Sequence, residues 1–73
     1  MAKSETRMPE LTERMLETFL GTGMTVTEFA KKVSKSRSSV YAYLYYGIVP
    51  DALGLASMSK ALNVSADYLL FGK

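Results

Sequence analysis

The chain contains no cysteine and no histidine. Without cysteine there is neither a disulfide framework nor a thiolate metal site. Without histidine the usual general base, the imidazole ligand and every Ser/His or Cys/His nucleophile arrangement are gone. No apolar run approaches the ~20 residues a membrane span requires. The opening stretch MAKSETRMPE lacks the apolar segment of a secretory signal. Strand-like alternation and internal repeats are also missing. These absences point to a non-enzymatic chain with no cofactor, no metal, no small-molecule substrate and no membrane partner, and to the cytoplasm as the expected compartment.

What is present is 73 residues, 48% hydrophobic and 22% charged, a globular balance sufficient for one small domain. A core of this size is marginal, so nearly every helix must supply an apolar face. The net charge of +2 says little by itself. Its distribution says more. Glu10, Glu13 and Glu17 gather on the first helical segment, where a solvated face explains them better than a carboxylate site. Lys31, Lys32, Lys35 and Arg37 cluster further on, and no acid occurs between Glu28 and Asp51. Such segregation suggests a phosphate-facing surface.

Hydrophobic periodicity divides the chain into five helices. Residues 1–8 are polar and unpatterned and read as a mobile arm carrying Lys3 and Arg7, ahead of a domain over 9–73. Pro9 suits a first helical turn. Leu11, Met15 and Phe19, with Leu16 and Leu20 beside them, predict a helix over about residues 9 to 20, stopped by Gly21-Thr22-Gly23. Thr25 and Glu28 form a capping-box pattern for a second helix whose apolar face is Val26, Phe29, Ala30 and Val33. Ser34-Lys35 is a turn, and Ser36 caps a third helix reaching about Tyr45. Its inward face is Val40, Tyr43 and Leu44, and its outward face is Arg37, Ser38, Tyr41, Ala42 and Tyr45. Asp51 caps a fourth helix with Ala52, Leu55, Met58 and Leu62 in register. Gly54 is expected to weaken that helix by roughly 1 kcal/mol relative to alanine. Asn63 ends it. Ser65 starts a last short helix in which Leu69 and Leu70 complete the core, with Phe71 as a further candidate.

The segments MTVTEFAKKVSKSRSSVYAYL and ALNVSADYLLFG, in this order and spacing around Pro50, resemble the Cro/repressor-type (XRE) helix-turn-helix family over roughly residues 10 to 71. The resemblance implies an all-α, compact five-helix bundle of the lambda repressor-like kind. It implies a sequence-specific DNA-binding transcriptional regulator, of the sort found in prophages and mobile elements, with helix 36–45 in the major groove. On the matching positions, Ser36, Arg37, Ser38 and Ala42 would contact bases, and Thr25, Val26, Lys35 and Tyr45 would contact the backbone. The chemistry agrees. Arg37 can donate two parallel hydrogen bonds to guanine O6 and N7, the serines can pair with donors or acceptors, and Ala42 offers a methyl to thymine. The implied partner is a double-stranded operator bound by a homodimer, with Leu70 and Phe71 as candidates for the dimer surface.

The chain departs from the family pattern in four places. Val26 stands where glutamine often grips a phosphate, and Ser34 stands where the turn often has glycine, so strain is expected there. Phe19 and Leu44 occupy the positions of a helix 1 arginine and a helix 3 glutamate that pair in some members. Tyr46-Gly47-Ile48-Val49 replaces the usual cations after the third helix, which thins the set of phosphate donors. Tyr41, Tyr46, Ile48 and Val49 therefore also suggest a protein-binding rim. On that alternative the chain acts as an antirepressor or modulator of a partner repressor protein.

Overall fold

The computed structural model describes residues 8–73. These residues form α1 (Pro9–Thr22), α2 (Val26–Val33), α3 (Arg37–Tyr45), α4 (Ala52–Leu62) and α5 (Ala66–Phe71). The all-helical expectation holds, and each helix is where its apolar periodicity and caps place it. The remainder of the expected arm, 1–7 with Lys3 and Arg7, lies outside the described residues. Met8 precedes Pro9 as the N-cap, is half-buried against the core, and its carbonyl accepts the Thr12 N–H at 3.1 Å.

Local chemistry sets the helix boundaries. The capping box is complete: the Glu28 N–H donates to the Thr25 hydroxyl at 3.1 Å, and the Thr25 N–H donates to Glu28 Oε1 at 2.9 Å. Asp51 accepts the Gly54 N–H at 2.7 Å, and Ser65 accepts the Tyr68 N–H at 3.0 Å. Each cap satisfies a donor that the first helical turn would otherwise leave open. α1 runs to Thr22 rather than Leu20, because Gly21 stays helical and the left-handed turn falls on Gly23, at φ 78°. α4 ends as expected at Asn63, where φ is 61° and the Val64 N–H returns to the Ser59 carbonyl at 3.0 Å. This is a Schellman closure, with the Asn63 N–H also returning to the Lys60 carbonyl at 3.1 Å.

One core joins all five helices. Leu11, Met15 and Phe19 of α1 meet Phe29, Ala30 and Val33 of α2, Val40 and Leu44 of α3, Met58 and Leu62 of α4, and Leu69 of α5. Fully burying each large side chain among them contributes roughly 1.5–3 kcal/mol. The Phe19 and Phe29 rings meet at 5.2 Å and 47°. Phe19 and Leu44 are both buried as packed hydrophobes of the core. α1 packs against α3, α4 and α5, and α2 packs against α3 and α4. α3 is thus held from its inner side by α1 and α2.

Four expectations about the core need correction. Phe71 is 65% exposed, because it follows Leu69 by two residues and so points about 200° round the helix from it. Leu20 and Ala52 are exposed as well, and Tyr43 is only half-buried at the margin of the core. Gly54 is buried, and a Cβ there would fall 2.9 Å from Asp51 Oδ1 and 3.2 Å from Pro50 Cβ. An alanine there would press on the cap and the proline, which opposes the gain that helix propensity alone would give.

Arg14 makes the tie that helical periodicity does not show. Its Nε and Nη2 donate to the Leu69 and Leu70 carbonyls, both at 2.8 Å. These are open carbonyls at the end of a six-residue helix, and a cation there also complements the helix dipole.

Two stability outcomes follow, both read from urea denaturation midpoints. Gly54→Ala should destabilise the fold by about 1–2 kcal/mol through overpacking, against the gain that propensity alone would give. Arg14→Met should cost about 2 kcal/mol by leaving two carbonyls of α5 without their charged donor.

Candidate nucleic-acid interface

The turn between α2 and α3 is built on two serines, one through its backbone and one through its hydroxyl. At Ser34 the backbone enters the left-handed region, with φ 57° and ψ 42°. Its N–H donates to the Lys31 carbonyl at 3.3 Å, and the next N–H, of Lys35, donates to the Ala30 carbonyl at 3.0 Å. That pair of bonds closes α2 by a Schellman motif and reverses the chain. Two residues later the Ser36 hydroxyl accepts the Ser39 N–H at 3.1 Å and starts α3. Three non-helical residues, Ser34, Lys35 and Ser36, thus separate the two helices. The strain expected from serine in a glycine-type turn is present as a positive φ.

The two faces of α3 divide as the periodicity requires. Val40 and Leu44 are buried, while Arg37, Ser38, Tyr41 and Tyr45 are exposed and Ala42 is partly so. Arg37, Ser38 and Ala42 therefore share one accessible arc. Ser36 is also exposed, yet its hydroxyl is already engaged: besides accepting the Ser39 N–H, it donates to the Ser39 hydroxyl at 3.2 Å. Its remaining capacity is one lone pair. Ser39 did not stand out in the sequence. The interval of three from a serine N-cap, which puts residue 39 over the cap, is the signal that could have found it.

The flanking residues are less uniform. Thr25 is exposed, but its hydroxyl serves the capping box. Val26 is half-buried and packs against the core, so it can offer a ligand only its backbone N–H. Lys35 is partly buried, and its Cε comes within 3.8 Å of the place a Gly54 Cβ would occupy, so its stem runs over the start of α4. Lys31 is exposed. Lys32 lines a shallow depression with Ser57, Lys60 and Ala61, which brings Lys60 of α4 beside the basic end of α2. That addition was invisible in the sequence, where 28 positions separate the two lysines.

The expected protein-binding rim is only partly assembled. Tyr41 and Tyr46 are exposed, Ile48 is half-buried, and Val49 packs against the core. Gly47, at φ 80°, turns the chain so that the Ile48 N–H returns to the Ala42 carbonyl at 3.2 Å. Tyr45, Tyr46 and Gly47 face Pro9, Thr12 and Glu13 of α1 across a groove of about 310 Å³. The Tyr41 and Tyr45 rings pack on each other, with centroids 5.8 Å apart.

Among solved structures, the chain is similar to the P22 c2 repressor protein in a crystal structure of its complex with synthetic operator 9T in the presence of Tl+. The two are 27% identical and superpose with a TM-score of 0.80, covering 86% of this chain and 96% of the other. No protein-family model and no curated protein matches the chain. The structural likeness shows that this chain has the fold of a repressor-type helix-turn-helix domain.

Replacing Ser34 by glycine removes the left-handed penalty at the turn. Ser34→Gly should stabilise the domain by about 0.5–1 kcal/mol, measured by thermal or urea unfolding, after the larger chain entropy of glycine is subtracted.

Proposed function

We propose that the chain is a non-enzymatic DNA-binding transcriptional regulator of the Cro/repressor kind, with α3 seated in the major groove of a double-stranded operator. One observation carries the reading. The outward arc of α3, with Arg37, Ser38 and Ala42, is left open by the chain's own packing, in a fold that resembles a repressor solved on its operator. The charge distribution supports it, since the stretch from Phe29 to Pro50 holds four cations and no acid.

On this reading Arg37 pairs with guanine O6 and N7, Ser38 and the free lone pair of Ser36 take adjacent base edges, and the Ala42 methyl meets a thymine methyl. Phosphates are met by Lys35, the Tyr45 hydroxyl, the Val26 backbone N–H and the start of α2 at Thr25. α2 lies across the backbone and fixes the approach of α3. A single such domain reads a short half-site. The working unit is then a homodimer on a two-fold operator, its half-sites about one helical turn apart. Exposed Phe71 and half-buried Leu70, at the end of α5, are the candidate dimer contacts. A prophage or mobile-element setting fits the small size. No helix among the described residues is long and apolar enough to cross a membrane, which agrees with a cytoplasmic regulator.

A second reading rests on the groove between Pro9, Glu13, Tyr45 and Tyr46. Its aromatic wall suits a protein contact, as in an antirepressor that binds a partner repressor. Tight one-to-one binding to a cognate repressor, with no duplex affinity even at low salt, would favour that role and exclude the first.

The direct test is selection of bound duplexes from a randomised pool, followed by titration of the best sequence. Arg37→Ala should weaken that duplex by about 1–3 kcal/mol and relax preference at one base pair. Lys35→Ala should weaken all duplexes alike and reduce the salt slope by about one. Unchanged affinity of Arg37→Ala at fixed salt would remove the base-reading assignment.

A further inference from the structure

Tyr41 and Tyr45 lie outside the buried core. Their rings lie 5.8 Å apart at 33° on the outward side of α3. They are 43% and 48% exposed as residues, so both still present surface to a ligand. Neither hydroxyl has a hydrogen-bond partner among the described residues. Their place on the helix is specific. Residues four apart advance about 40° at 3.6 residues per turn, so Arg37, Tyr41 and Tyr45 form one oblique strip. Ser38 and Ala42 flank that strip. Tyr41 therefore sits inside the arc bounded by Arg37 and Ala42, not at its rim. A duplex touched by both of those residues necessarily covers it.

The chemistry of the strip is one-sided. It holds one guanidinium and no Asn, Gln, Asp or Glu, so it lacks the side chains that pair bidentately with adenine or accept from cytosine. It does present two aromatic rings packed on each other. An aromatic side chain loses few rotamers on binding, and a pair already packed together loses fewer. The apolar group such a surface meets in a major groove is the thymine C5-methyl. The stretch from Phe29 to Pro50, with four cations and no acid, matches a polyanion better than a neutral protein surface, with Glu13 of α1 the acid facing Tyr45 across the groove.

We propose that Tyr41 and Tyr45 act as one rigid apolar wedge that selects duplexes by pyrimidine C5-methyl groups, the Tyr41 ring making the contact and the Tyr45 ring bracing it. The proposal rests on the DNA-binding reading and adds a specificity-determining residue to it. The Tyr45 hydroxyl stays free to reach a phosphate while its ring supports Tyr41.

The test uses the full chain and the duplex best enriched from a randomised pool, with thymines replaced one at a time by deoxyuridine, which deletes only the methyl. Tyr41→Ala should lose roughly fivefold or more in affinity, within the range of one mismatched base pair, and Tyr41→Phe should keep affinity within about twofold. At one or two thymines the deoxyuridine duplex should bind wild type as weakly as Tyr41→Ala does, with no further loss when the two changes are combined. Tyr45→Ala should reproduce part of the defect, and Tyr45→Phe should keep the ring brace. Equal losses for Tyr41→Ala on thymine and deoxyuridine duplexes would overturn methyl reading. Unaltered DNA binding by Tyr41→Ala, with Arg37→Ala defective, would overturn the wedge alone and leave the pair as a protein contact. Failure to enrich any duplex would overturn the DNA-binding reading and the wedge with it. Circular dichroism of each variant shows that α3 has folded, as expected for exposed positions.

Discussion

Ser34 adopts a backbone conformation that a Cβ disfavours by about 1–2 kcal/mol, and the direction of α3 depends on that residue holding it. Were Ser34 to continue the helix, α2 and α3 would merge into one rod, and the reversal that lays α3 against both α1 and α2 would be lost. The conformation persists because several weak terms converge on it. The N–H groups of Ser34 and Lys35 close α2 on the Lys31 and Ala30 carbonyls, and the Ser36 hydroxyl starts α3 at once. Burial of Phe29, Val33, Val40 and Leu44 in the shared core then holds both helices with their apolar faces inward. A strained residue at the centre of a functional unit, held by its surroundings, is how small domains fix an angle they cannot obtain from length.

The same logic governs the other end of the chain. α5 has six residues, too few to be stable alone. Leu69 anchors it in the core, and the Arg14 guanidinium holds its last carbonyls. α1 is thereby the scaffold on which both the exposed helix and the closing helix are mounted. It packs on α3 with Leu11, Met15 and Phe19, and reaches α5 with Arg14 from the side of that face. Among the described residues no polar or charged side chain is buried, so the fold gains its uniqueness from shape, caps and this one charged clamp. The exposed arc of α3 can then vary in sequence without unpacking anything beneath it.

Much of this was readable in advance for a physical reason: caps and apolar periodicity act within a turn or two. Thr25 with Glu28, Ser36, Asp51 and Ser65 each announced a helix start, and each has the predicted hydrogen bond. The division of α3 into Val40 and Leu44 against Arg37, Ser38 and Tyr45 follows from the 3.6-residue repeat. The roles of the outward residues were less legible. Ser36 carries both a cap and an assigned base contact, and only the placement of Ser39 shows how little of its hydroxyl is left. Val49, expected on an open rim, turns inward because Gly47 redirects the chain after α3.

What the sequence settled alone was therefore local: five helices, where four of them start by a side-chain cap, and which side of each is mainly apolar. Those properties depend on neighbours one to four residues away, and any folded arrangement would share them. The tertiary structure decided what lies far apart in the chain. It brought Arg14 to the carbonyls of Leu69 and Leu70, packed Gly54 closely beneath Asp51 and Pro50, set Lys32 beside Lys60 and turned Phe71 to solvent. Each of these results from packing helices around a shared core of fixed volume. No periodic pattern within one helix encodes that constraint, because it exists only once the others are in place.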